Sequence, residues 1–223
     1  MHVEPPAHAP QSLKDFAKHY LMIVLGILTA IGIEQAVESA HHRAQAAHAT
    51  RDVEEELQSN LREARSVLAA NTRRLAALES VRESLDQDLQ KKDLSIETFR
   101  SRIAAIDVGA ALPALRRDAW DAAIASQALA YVEAGKVRRY SEGYTAQRDT
   151  MTAVMATFTM GNWAAQLLGV GVDAKLGKVD HAALLKALGT YELTLKSVAG
   201  NERELEKALE GAVGEASGEA GRH

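Results

Sequence analysis

Residues 19–33, HYLMIVLGILTAIGI, carry no formally charged side chain and lie between Lys14 and Lys18 on one side and Glu34 and Glu38 on the other. As a helix rising ~1.5 Å per residue the run spans roughly 22 Å, less than the ~30 Å hydrocarbon core of a bilayer. Extended back to Phe16, with the Lys18 ammonium snorkelling to the headgroups, it reaches roughly 27 Å, enough for a slightly thinned bilayer. Eight Leu, Ile and Val residues drive insertion, while Gly26, Gly32 and Thr29 oppose it. The expected anchor residues are Phe16, Lys18, Tyr20, Leu21, Ile23, Val24, Leu25, Ile27, Leu28, Ile31 and Ile33, within a transmembrane segment at 13–37.

Two other readings compete. A cleaved secretory signal has a basic flank like Lys14 and Lys18 and a small-x-small site like Ala30-Ile31-Gly32, but good helix formers continue through Glu34, Gln35, Ala36 and Val37. A soluble protein burying the run needs equally apolar partner segments, and the flanking sequence offers few. An uncleaved anchor is the expectation.

The rest of the chain reads as helix. Its 223 residues hold 4% aromatics, abundant Ala, Leu, Glu and Arg, and no cysteine, which disfavours sheets and excludes disulfides, thiol catalysis and thiolate metal sites. A net charge of −4 with interspersed signs and no basic stripe argues against nucleic acid as a partner. The predicted fold is all-α, with the transmembrane helix continuing into a long helix that packs in a helical bundle or coiled coil. Lys14 and Lys18 put the N-terminus in the cytoplasm and the body in a bacterial periplasm, the protein sitting in the inner membrane.

From Leu13 to Val108 the chain has no Pro and only Gly26 and Gly32 as glycines, so one helix is expected from Leu13 to about Lys91, as anchor and then a stalk at 38–92. Within it Leu57, Leu61, Ala64, Leu68, Asn71, Leu75, Leu78, Arg82, Leu85 and Leu89 follow heptad spacing, with Asn71 able to set register in an oligomer. The same face equally suits one wall of an intramolecular bundle. Gly26 and Ala30, and Gly32 and Ala36, are small-xxx-small pairs that let membrane helices approach closely. Self-association is therefore expected through Gly26 and Ala30 and along Leu57, Leu61, Leu68, Asn71, Leu75 and Leu78.

Beyond Asp93-Leu94-Ser95, a bundle domain at 93–210 is expected. Ser95 caps a helix to about Ile106, a third helix starts at Pro113 and stops at Ala134 before Gly135, and a fourth runs from Lys136 to Leu168, ended by Gly169 and Gly171. Asp180 caps a last helix through Val198, extendable past Gly200 to Leu209. The arm at 1–12, with Pro5, Pro6 and Pro10, and the tail at 211–223 are expected to be disordered or frayed.

Chemistry-bearing constellations are few. Glu38-x-x-His41 has the spacing of di-iron carboxylate bundles but lacks a second copy, so Glu34, Glu38, His41 and His42 read as polar groups at the membrane–water boundary. Trp120 reads as a core anchor against the long helix, Asp118 and Asp121 as salt-bridge partners for Arg116, Arg117 or Arg139, and Met151, Met155 and Met160 as packing filler. No nucleophile elbow, phosphate loop or His-Glu-x-x-His occurs. No enzyme activity, cofactor or metal is expected; the partners are the lipid bilayer and a second copy or another membrane protein. The alternative is a membrane-anchored sensor holding a small ligand between the Trp120 helix and the helix bearing Tyr140 and Phe158.

The run at 24–35, VLGILTAIGIEQ, followed by a charged helix and by RDAWDAA at 117–123, resembles a group of uncharacterised bacterial single-pass membrane proteins. Their pattern is an anchor ending in Gly-x-Glu-Gln and a downstream Ala-Trp helix; Ala36 stands here where that pattern has an aromatic residue. The resemblance implies a membrane-anchored helical protein and supplies no catalytic residues.

Overall fold

A computed structural model describes residues 13–91 and 95–214. These contain α1 (Leu13–Gln90), α2 (Ile96–Ala104), α3 (Asp118–Ala125), a 3-10 turn (Ala128–Tyr131), α4 (Ala134–Met160), α5 (Trp163–Lys175) and α6 (His181–Val213), with no strand among them. The protein is all-α. The arm at 1–12 and most of the expected tail lie outside the described residues; α6 itself runs past Gly211 to Val213.

With no proline and few glycines to interrupt it, α1 runs 78 residues, ~117 Å at ~1.5 Å per residue. Its first thirty or so residues stand clear of the other described residues. The bundle begins near Ala46, the first buried residue of α1. From there α4 runs parallel to α1, with Tyr140 and Tyr144 donating to Glu54 and Glu56. α6 returns antiparallel, pairing Glu192 with Arg82 and Glu206 with Arg65. α5 turns the chain between α4 and α6 at the end far from the apolar run of α1.

The core has two centres. The one nearer the apolar run gathers Val53, Leu57, Leu61 and Ala64 of α1 with Trp120, Tyr140, Tyr144, Leu205 and Leu209. The far one gathers Leu78 and Leu85 with Phe99, Trp163, Leu167, Leu184, Leu188, Tyr191 and Leu195. Trp120 is the core anchor that its sequence context suggests, stacked on Tyr144 with ring centroids 5.1 Å apart.

The heptad seam is thus turned inward. Leu57, Leu61, Ala64, Asn71, Leu78 and Leu85 are buried within the chain and Leu68 and Leu75 are half-buried, so the seam is the wall of an intramolecular bundle rather than a face open to a second copy. Gly143 marks the tightest crossing. A Cβ there would stand 3.0 Å from Ala212 Cβ and 3.4 Å from Leu57 Cδ2, so α4, α6 and α1 meet over a bare backbone. Gly143→Val is expected to pry them apart at a cost of about 1–3 kcal/mol, read as a lower thermal midpoint.

Three boundaries differ from expectation. α2 begins after Ser95, whose hydroxyl accepts from Thr98 N, but ends at Ala104 rather than Ile106. Pro113 starts no helix: residues 106–117 have no regular structure, α3 begins at Asp118, and Gly135 sits in the first turn of α4 instead of capping a third helix. The expected fourth helix is two, broken at Gly161-Asn162, where Asn162 adopts a left-handed φ of 40°. Gly169 and Gly171 lie inside α5. Met155 and Met160 face outward, so they are not packing filler.

Candidate functional site

Residues 105–117 form a strap that leaves α2 at the far end and descends along α1 to α3. A loop without secondary structure must find partners for its backbone N–H and C=O groups. Here α1 side chains supply them. Asn71 donates from Nδ2 to Ala111 O at 3.0 Å and accepts Ala111 N at Oδ1 at 2.8 Å. Asn60 does the same for Arg116, at 2.8 and 2.9 Å. Asn60 and Asn71 are eleven residues apart, about three turns and ~16.5 Å of helix; Ala111 and Arg116 are five residues apart, ~16.5 Å of extended chain. The two spacings match, so one helix face zips a strand-like segment. Pro113, which has no N–H to satisfy and biases its predecessor to extended backbone, suits the stretch between the clamps.

Further contacts complete the clasp. Glu63 accepts Ala114 N at 3.3 Å, and Glu56 accepts Ala119 N at 3.0 Å while holding Tyr144 through its other oxygen. At the top, the buried Tyr191 hydroxyl accepts Gly109 N at 2.8 Å and faces the carbonyls of Asp107 and Gly109. Its ring stacks on Trp163 at 4.4 Å, and burial pushes its phenol above the ordinary tyrosine range. Arg74 ties Asp107 to α1 at 3.0 Å.

Behind the clasp sits an acid. Glu202 of α6, 1% exposed, accepts Asn71 Nδ2 at Oε1 at 2.8 Å, while its Oε2 is buried without a hydrogen-bond partner. Burial pushes its carboxyl up to about 7, opposed by the Asn71 hydrogen bond and by Arg203. Neither Asn60, Tyr191 nor Glu202 stands out in the sequence by composition. The eleven-residue repeat of a buried Asn, opposite a Gly- and Pro-bearing segment, is the signal that was there to find.

At the far end, α2, the head of the strap and α5 enclose an apolar groove of about 550 Å³, lined by Ile103, Ile106, Val108, Leu167, Leu168, Gly171 and Val172 with Arg100 and Lys175. Arg100 donates to Ala174 O at 3.0 and 2.9 Å and to Lys175 O at 3.4 Å, a cation placed on the C-terminal carbonyls of α5. Between the Trp120 helix and α4, Trp120 stacks on Tyr144 within the core.

At the end nearer the apolar run, Glu38 meets His42 Nε2 at 3.5 Å, and Tyr131 stacks on His42 at 3.9 Å with its hydroxyl 3.1 Å from Nε2. His41 contributes to a different hollow, with His48, Asp52 and the alanines of α3. Among the described residues no group of three or more His, Asp or Glu side chains converges as a metal site. Arg117 and Asp121 pair at 2.9 Å on the surface.

The apolar run of α1 packs against nothing among the described residues. Phe16, Tyr20, Leu21, Ile23, Leu25, Ile27, Leu28, Ile31 and Ile33 are all exposed, and a Cβ at Gly26 or Gly32 would meet nothing within 4 Å. Thr29 returns its hydroxyl to Leu25 O at 2.8 Å, so the one hydroxyl residue deep in the run is satisfied within the helix. α1 is long and apolar enough to cross a membrane, and none of its apolar window is buried. No protein-family profile, curated protein or solved structure matches the chain.

Proposed function

We propose that this chain is a non-enzymatic, single-pass protein of a bacterial inner membrane whose α1 lodges in lipid and holds a helical bundle out as a scaffold or protein-interaction module. One observation carries the reading: the most apolar stretch of the chain is also the one stretch of α1 that the bundle leaves bare. Leaving so many large aliphatic side chains in water forfeits about 1.5–3 kcal/mol each, a cost that a lipid environment removes. From Ile33 to Gln90 the same helix continues without a joint for ~85 Å, so the far groove and α5 stand well away from the bilayer. The Lys14 and Lys18 flank supports an N-terminus in the cytoplasm and a periplasmic body.

With the seam on residues 57–78 committed to the intramolecular core, self-association rests on Gly26 and Ala30. Full-length protein in cell membranes is expected to resist carbonate extraction, and Leu25→Arg with Leu28→Arg to release it, since each arginine at mid-helix adds about 2.5–3.5 kcal/mol to insertion. Release of the parent chain by carbonate, or a mature N-terminus beyond Gly32, defeats the proposal. Gly26→Cys is expected to trap a disulfide dimer in native membranes while Leu57→Cys stays monomeric; a monomer at Gly26 removes the self-association.

A further inference from the structure

α5 is apolar on both sides, and its core contacts account for only one of them. Trp163, Leu167, Val170 and Ala174 face the far core. Leu168 and Val172 are 70% and 55% exposed, on the side that meets Ile103 and Ile106 across the groove. Gly171 lines the groove, and an added Cβ there would meet nothing within 4 Å among the described residues, so the glycine leaves room in the trough. At about 550 Å³ the hollow lies in the size range of small-molecule sites, and its lining is almost wholly apolar.

Its charge is one-signed. Among the described residues lining it, the charged ones are Arg100 and Lys175, both cationic and both at the end where α5 stops. Arg100 is held there by Ala174 O and Lys175 O, which fixes the guanidinium before any ligand arrives and lowers the entropy cost of using its remaining N–H groups. An apolar trough ending at two cations is complementary to a molecule that is oily along its length and anionic at one end.

We propose that the α2–α5 groove binds a single-chain anionic amphiphile, its acyl chain lying along Ile103, Leu167, Leu168 and Val172 over Gly171 and its carboxylate at Arg100 and Lys175. This site does not require the anchor to cross a membrane. The test uses the full chain in nanodiscs of zwitterionic lipid with 11-(dansylamino)undecanoate as probe and empty nanodiscs as the baseline. Saturable fluorescence enhancement above that baseline is expected, displaced by dodecanoate and at least tenfold less well by dodecanol. Gly171→Leu is expected to weaken probe binding at least tenfold with an unchanged or higher thermal midpoint, because the new side chain fills the trough and a helical glycine is lost. Lys175→Glu is expected to weaken dodecanoate several-fold and leave dodecanol unchanged. Enhancement no greater than with empty nanodiscs, full binding in stably folded Gly171→Leu protein, or equal displacement by dodecanol and dodecanoate would overturn the proposal.

Discussion

Asn71→Leu is expected to lower the stability of the bundle by about 4 kcal/mol, a thermal midpoint shift of roughly 8–16 °C for a chain of this size. The substitution keeps the branched shape, with a somewhat larger volume, and removes four hydrogen bonds: two with the Ala111 backbone, one with Glu202 and a long one from Arg74. What it leaves behind matters more than what it removes. The Ala111 N–H and C=O would lose their partners, and the Glu202 carboxyl would stand buried with neither oxygen bonded; each such group costs about 1–3 kcal/mol. The sign of the effect separates two roles for the same residue. In an oligomeric seam, leucine in place of a register-setting asparagine stabilises and loosens the choice of oligomer; in the clasp it destabilises and frees the strap. Hydrogen exchange reports the difference locally, with the Ala111 amide losing protection first. Asn60→Leu provides the comparison, since it frees Arg116 but touches no buried acid, and is expected to cost about half as much. A stable Asn71→Leu protein with unchanged exchange at Ala111 would show that the strap is held by other means.

That asparagine also shows where sequence reasoning succeeds and where it stops. Local signals were legible: the uninterrupted α1, the Ser95 and Asp180 caps, and Trp120 as a core residue all follow from chemistry within a few positions of one another. The strap was legible only in part: the break at Gly109 was expected, but Pro113-Ala114-Leu115-Arg116-Arg117 reads as the start of a helix, with proline at its first position and good helix formers after it. The strap's extended path is imposed by side chains of α1 some forty to fifty-six positions away in sequence, a tertiary override of a weak local preference. The α4–α5 break was misplaced for a related reason. Gly169 and Gly171 carry the intrinsic penalty of glycine in a helix, yet α5 absorbs it by packing Trp163, Leu167, Val170 and Ala174 on the core. The joint falls instead at Gly161, where a Cβ would lie 2.7 Å from Trp163 Cδ1 and 3.0 Å from Thr194 Oγ1, so the Trp163 ring first, and α6 behind it, occupy the space a side chain would need. The heptad pattern located the buried face of α1 without saying what covers it, since an intramolecular wall and a dimer seam present the same spacing.

Glu202→Gln is expected to make the bundle more stable above pH 7 and to abolish most of its pH dependence between pH 5 and 8. In the folded protein the Glu202 carboxyl titrates near 7, raised from 4.5 by burial. The folded state therefore holds a proton that the unfolded chain has already lost between those values, and stability falls as pH rises from about 4.5 to about 7, then levels off. The full change is on the order of 3 kcal/mol. Carboxylates held low by their partners act elsewhere. Asp88 is lowered by Arg102, and Glu192 by Lys196 and Arg82, so their contributions are complete at pH 5 and are lost only as pH falls below the ordinary carboxylate range. The groups that bear on Glu202 itself are Asn71 across the helix interface, Arg203 on its own helix, and Arg74 acting through Asn71 Oδ1. None places a cation on Oε2, which is why ionisation is costly. Glutamine keeps the acceptor for Asn71 and carries no charge, at the price of an unpartnered NH2 where the acid had an unpartnered oxygen. The variant should accordingly match or fall slightly below the parent at pH 5 and exceed it by about 2 kcal/mol at pH 8, some 4–8 °C in thermal midpoint. Near-ultraviolet circular dichroism of the full chain in neutral detergent, melted at pH 5, 6, 7 and 8, reads both slopes. Parallel curves for the two proteins would mean that Glu202 is ionised at no cost, and that water or a cation reaches Oε2 behind the strap.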